Sequence, residues 1–140
     1  MSALKFRDVD APPSIELLRE LKKQEIGFVL SAARLRRFSS KSVMTHQGEP
    51  ADQLFLLWTG RARYFFETAN GKRVNLRWIT PGHTFGEAAL ASPPSSYLVS
   101  TEAVRDSTAL VWYSSTIRDL AQRLPQLLEN IILSALDYLS

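Results

Sequence analysis

The segment Phe85-Gly86-Glu87-Ala88-Ala89-Leu90 holds the residues of this chain best suited to bind an anion. A glycine followed by a short helix former leaves backbone N–H groups at Gly86 to Ala89 without acceptors of their own. The helix dipole behind them adds partial positive charge. Such a segment is a ready anion site, although from these residues alone a simple turn accounts for it as well.

Few other residues suggest chemistry. The two histidines, His46 and His83, lie 37 positions apart, one at a strand edge and one in a Pro-Gly-His-Thr turn. A metal-binding jelly roll would need a clustered His-x-His with a carboxylate and a third histidine, so no metal site is expected. The chain has no cysteine, which removes disulfides, thiolate sites and a cysteine nucleophile. No nucleophile–base pair stands out, and no enzymatic activity is expected. The 17 Lys and Arg against 14 Asp and Glu leave a net charge of +3, too mild to indicate nucleic-acid binding. No apolar run reaches the ~18 to 20 residues of a membrane span, and Met1 to Pro13 is polar and of mixed charge. A cytoplasmic protein is the expectation.

The anion segment must be positioned by the elements around it. Glycines at 48, 60, 71 and 82 separate the runs 53–59, 61–67 and 73–79, which are rich in aromatic and β-branched residues. Short runs of this kind with turn residues every 8 to 12 positions predict a small antiparallel β sandwich or barrel. Asn70-Gly71 predicts a tight hairpin with both residues at positive φ. Alternation puts Val74, Leu76 and Trp78 on one face of their strand and Arg73, Asn75 and Arg77 on the other. In the run before it, Ala62, Tyr64 and Phe66 oppose Arg61, Arg63 and Glu67; the arginine faces could line a basic ligand surface, but more often such faces are solvated exteriors. Two further strands are expected over Tyr97 to Val104 and Thr108 to Tyr113. Helices are expected over Ile15–Lys23 with Ser14 as cap, and over Gln24 to Ala33. Two more should run from Ser114 or Ser115 to Arg123 and from Pro125 to the end of the chain. Three segments follow: 1–23 helical, 24–113 a β roll, and 114–140 helical.

Taken in order, Gly48-Glu-Pro-x-Asp, Leu-x-x-Gly60-x-Ala, Asn-Gly71-Lys and Pro81-Gly82-x-x-Phe85-Gly86-Glu87-Ala-Ala-Leu90 resemble the cyclic-nucleotide-binding domain, and within it the Crp/Fnr transcription regulators. The resemblance spans about residues 26 to 140. It implies a mainly β (α+β) fold: a double-stranded β-helix jelly roll with N-terminal helices and a long C-terminal dimerisation helix. It also implies that Gly86 admits the phosphate of a cyclic nucleotide or another small anionic effector. Glu87 would take a ribose hydroxyl, and the N–H groups of Ala88 and Ala89 would face the phosphate.

One departure matters. The family places an arginine for the phosphate nine or ten residues beyond the glutamate, where this chain reads Ser95-Ser96-Tyr97-Leu98. A hydroxyl offers a neutral bond where an arginine offers a charge-assisted, bidentate one. Three readings stay open. Ser95, Ser96 and Tyr97 serve a different ligand as neutral donors, a cyclic nucleotide binds weakly, or the pocket is a vestige in which Glu87 pairs locally.

The last helix is apolar around much of its circumference, with Leu128, Ile131, Ile132, Ala135 and Leu139 as one stripe. The resemblance implies that this stripe pairs with a second copy in a homodimer. It further implies that DNA is bound only through a helix-turn-helix domain absent from these residues. The alternative is a regulatory or protein-interaction module without DNA binding.

Overall fold

The computed structural model describes residues 11–91, 93 and 95–137. Eight strands form two four-stranded antiparallel sheets. One sheet has the order β1 (Arg34–Phe38), β8 (Ser107–Tyr113), β3 (Gln53–Thr59), β6 (Thr84–Phe85). The other has the order β2 (Val43–Thr45), β7 (Ser100–Ala103), β4 (Ala62–Glu67), β5 (Arg73–Ile79). The expected jelly roll is present, with β1, β2 and β6 as further short strands.

The first sheet is covered on both faces, which is why Leu-Phe-Leu-Leu-Trp in β3 reads as an unbroken apolar run. Phe55 and Leu57 face the second sheet with Ala109, Val111 and Phe85. Leu54, Leu56 and Trp58 face the helices with Leu110 and Trp112. The Trp112 indole N–H donates to the Val29 carbonyl at 2.8 Å, which docks helix α1 (Lys23–Ser31) on that face. Helices α2 (Ser114–Arg123) and α3 (Pro125–Leu136) complete the cover, with Pro125 in the first turn of α3 as expected.

The predicted helix over Ile15–Lys23 is instead a 3-10 turn at Glu16–Leu18, followed by Glu20 at φ 60°. Ser14 caps nothing there. The cause lies on α3: the Asn130 side chain donates to the carbonyls of Leu17 at 2.9 Å and Arg19 at 2.8 Å. Those carbonyls therefore find their partner in a buried amide rather than in a continuing helix. Helix α1 begins later, where the Lys22 N–H donates to Glu25 Oε1 at 2.8 Å.

The β4–β5 hairpin forms at Asn70-Gly71, but Gly71 alone has positive φ. The Gly71 N–H donates to the Thr68 carbonyl and the Thr68 N–H to that of Lys72, a longer loop than the tight turn expected.

Candidate ligand site

Site geometry begins with a bulge. Arg63 pairs with Trp78 and Phe65 with Asn75, so Leu76 and Arg77 together oppose Tyr64. An extra residue in one strand inverts the alternation beyond it. Trp78 thus shares the outer face with Asn75 and Arg73, which corrects the grouping of Val74, Leu76 and Trp78 on one face. On that outer face the Arg61 and Arg63 guanidiniums flank the Trp78 ring at 4.0 and 4.8 Å, and Glu102 pairs with Arg63 and Arg73. Arg61 and Arg73 are exposed, as a solvated exterior requires, while Arg63 is half-buried between Trp78 and Glu102. Arg77 lies on the opposite face, because the bulge turns Leu76 and Arg77 together toward the inner side of the sheet, where both stay partly exposed.

There they border a cavity of about 620 Å³, within the ~300 to 1,000 Å³ usual for small-molecule sites. Its walls are mostly apolar: Tyr64, Leu76, Tyr97, Leu98, Val99 and Leu136. Thr45 and Ala135 complete them together with Arg77 and the segment Gly86-Glu87-Ala88. The cavity thus joins the predicted anion segment to the end of α3.

Gly86 lies at φ 82°, where a Cβ would come within 3.0 Å of the Gln53 carbonyl and 3.3 Å of the Phe55 and Tyr97 rings. Only glycine fits such a position without strain. The next residues form a 3-10 turn, Glu87–Leu90, rather than a helix. Its Ala89 N–H is spent on the Gly86 carbonyl at 3.0 Å, and Ala89 is buried in the helix-side core. Ala89 is therefore not a wall of the cavity, unlike Gly86, Glu87 and Ala88.

Glu87 sits in a polar triangle. Its Oε2 accepts from Thr84 Oγ1 at 2.7 Å and from Ser134 Oγ at 3.2 Å, and the two hydroxyls lie 2.6 Å apart. The glutamate of the anion segment is thereby tied to α3.

The window lacking the arginine is zipped to residues 48–51. The Ala51 N–H donates to the Ser95 carbonyl, Ser96 bridges Pro50, and the N–H of Tyr97 donates to the Glu49 carbonyl. Ser95 and Ser96 are exposed and do not border the cavity. Tyr97 does, but through its ring. Its hydroxyl donates to the Gln53 carbonyl at 2.7 Å and accepts from the Gln53 N–H at 3.0 Å. A phenol has one proton to give, and this one is committed. Of the three readings left open, that geometry weighs against Ser95, Ser96 and Tyr97 as neutral donors to a ligand. Burial pushes the Tyr97 hydroxyl up to about 12 from its ordinary 10.0, against the lowering effect of its bond to the Gln53 backbone.

For Arg77 the sequence reading favours a solvated face over a basic ligand surface. Its guanidinium donates to the Asp137 carbonyl at 2.6 Å and carboxylate at 2.9 Å, at the C-terminal end of α3. A residue three positions from the inward-facing Val74 gives no sign in the sequence that a bulge intervenes.

Helix α3 buries Leu127, Asn130, Ile131 and Ser134, and exposes Leu128, Ile132, Leu133 and Leu136. Ile131, only 2% exposed, belongs to the core and not to the outward stripe where the sequence placed it. Ala135 borders the cavity, and Leu139 lies outside the described residues. Among the described residues no group of three His, Cys, Asp or Glu side chains could hold a metal ion, and no helix is long and apolar enough to cross a membrane.

Comparison with known proteins places this geometry in context. The model of the cyclic nucleotide-binding domain matches residues 35–124. Over 115 residues the chain is 27% identical to the cyclic AMP receptor protein of Thermus thermophilus, covering 82% of this chain and 53% of that protein. The chain thus spans about half the length of that relative. The crystal structure of the catabolite activator protein of Thermus thermophilus superposes with a TM-score of 0.79 at 26% identity, covering 89% of this chain and 58% of the other. The sensor domain of the transcriptional regulator DNR from Pseudomonas aeruginosa shares the fold, with a TM-score of 0.71 at 21% identity, covering 84% and 79%.

Proposed function

Because this chain belongs to the cyclic nucleotide-binding domain family, in its Crp/Fnr branch, we propose that it is the effector-sensing and dimerisation part of a transcription regulator. The observation that carries this reading is the cavity itself: one ligand there would touch both the Gly86-Glu87-Ala88 segment and the end of α3. Occupancy and helix position are then coupled, which is what a sensor needs. We assign the chain no catalytic step and place it in the cytoplasm, where a regulator meets its DNA.

The effector is a small anion other than tightly held cyclic AMP. No arginine stands in the window 95–98, and the Tyr97 proton is used on Gln53. A charge-assisted bond is worth ~1.5 to 3 kcal/mol, so its loss weakens phosphate binding by roughly ten- to a hundredfold.

The second copy would pack on the outward face of α3. Leu128, Ile132, Leu133 and Leu136 are each about 40 to 50% exposed there, a continuous apolar strip on a single helix. DNA would be reached through a domain outside these residues.

The test is a thermal-shift screen of the protein against small anions, including cyclic AMP, cyclic GMP and linear dinucleotides. At least one anionic effector should raise Tm, and the shift should vanish in Ala88→Trp, which fills the cavity. Shifts that survive in Ala88→Trp, or none across the set, would count against a sensing role.

A further inference from the structure

We propose that Arg77 is the cation that receives the effector's anionic group, in place of the arginine missing from the 95–98 window, and that Asp137 competes with the effector for it. This rests on the sensing role of the cavity and names the charge chemistry of that same site.

Among the described residues, two charged ones border the cavity, Arg77 and Glu87. The Glu87 carboxylate accepts hydrogen bonds from two hydroxyls and is a place for a ligand donor, not an anion. Arg77 carries the opposite charge and the planar donor fork suited to a carboxylate or phosphate. It reaches the cavity only because of the β4–β5 bulge, a device that recurs where a side chain must be re-aimed.

Its ion pair with Asp137 is easily replaced. The side chains of Arg77 and Asp137 are 42% and 49% exposed, and an ion pair this open to water is held weakly. Asp137 follows the last turn of α3, where its carboxylate meets the negative end of the helix dipole. An anion entering the cavity offers Arg77 the same bonds without that repulsion. The ligand class follows: a small molecule with a largely apolar body, one carboxylate, phosphate or sulfonate at the Arg77 end, and a hydroxyl or N–H donor for Glu87.

The test uses two fluorescent probes of the same shape, anionic anilinonaphthalene sulfonate and neutral N-phenylnaphthylamine, titrated into wild type, Arg77→Gln, Arg77→Lys and Asp137→Asn. Arg77→Gln should weaken the anionic probe by about tenfold and leave the neutral one within about twofold, while Arg77→Lys keeps most of the affinity. Asp137→Asn should tighten the anionic probe by roughly two- to threefold, since the competitor is gone. If Arg77 serves only to hold α3, Arg77→Gln and Asp137→Asn will shift the anionic probe in the same direction, and that result overturns the inference. Equal weakening of both probes by Arg77→Gln overturns it too. If Ala88→Trp binds both probes with wild-type affinity, the cavity is not their site, and the sensing role fails together with the inference.

Discussion

Tyr97 and Gln53 hold each other at two points: the phenol donates to the Gln53 carbonyl at 2.7 Å and accepts from the Gln53 N–H at 3.0 Å. The side chain standing in the window where the family places its phosphate arginine is therefore a structural clamp. It joins the segment after the anion turn to the start of β3.

Removing that clamp should cost stability. Tyr97→Phe keeps the ring against Gly86 but leaves the N–H and C=O of Gln53 without their partner. A loss of about 1 to 3 kcal/mol in urea unfolding is expected.

The same residue makes stability depend on alkaline pH. The hydroxyl ionises at about 10.0 when unfolded and near 12 when folded. Its contribution is thus complete below pH 10 and lost as pH rises from 10 to 12, by about 2 to 3 kcal/mol in all. The difference in unfolding free energy between wild type and Tyr97→Phe should shrink over that window.

Asn130 should matter in a way few surface-seeming helix residues do. Asn130→Leu removes the donors to Leu17 and Arg19 and leaves two carbonyls bare. A loss of roughly 2 to 4 kcal/mol is expected for two such bonds. Faster hydrogen exchange at residues 15–21 would mark its source.

The two apolar faces of α3 should respond differently to charge. Ile132→Glu lies on the exposed face and should yield a folded monomer by sedimentation, with Tm near that of wild type. Ile131→Glu buries a charge in the core and should unfold the chain. A folded, dimeric Ile132→Glu protein would exclude this face as the interface.

Much of the fold is legible in the chain. The runs 53–59 and 73–79 match β3 and β5 to the residue, because both apolar strands are bounded by turn residues. Gly86 is legible as a turn, and its positive φ is seen only in the fold. What escapes reading depends on contacts distant in sequence. The 3-10 turn at Glu16–Leu18 is set by Asn130, over a hundred positions away. Arg77 is re-aimed by a bulge that only the pairing with β4 reveals. One signal was available: Asn130 and Ser134 stand three and seven residues after Leu127, so two polar side chains share the inner face of an apolar helix. Such residues must be bonded inside the protein, and their partners prove to be the N-terminal turn and Glu87.

The central claim is a sensing cavity without the family's phosphate arginine, and calorimetric titration with cyclic AMP tests it most directly. Wild type should show no binding at micromolar concentrations, and Tyr97→Arg should gain affinity. Micromolar or tighter binding by wild type would contradict the account.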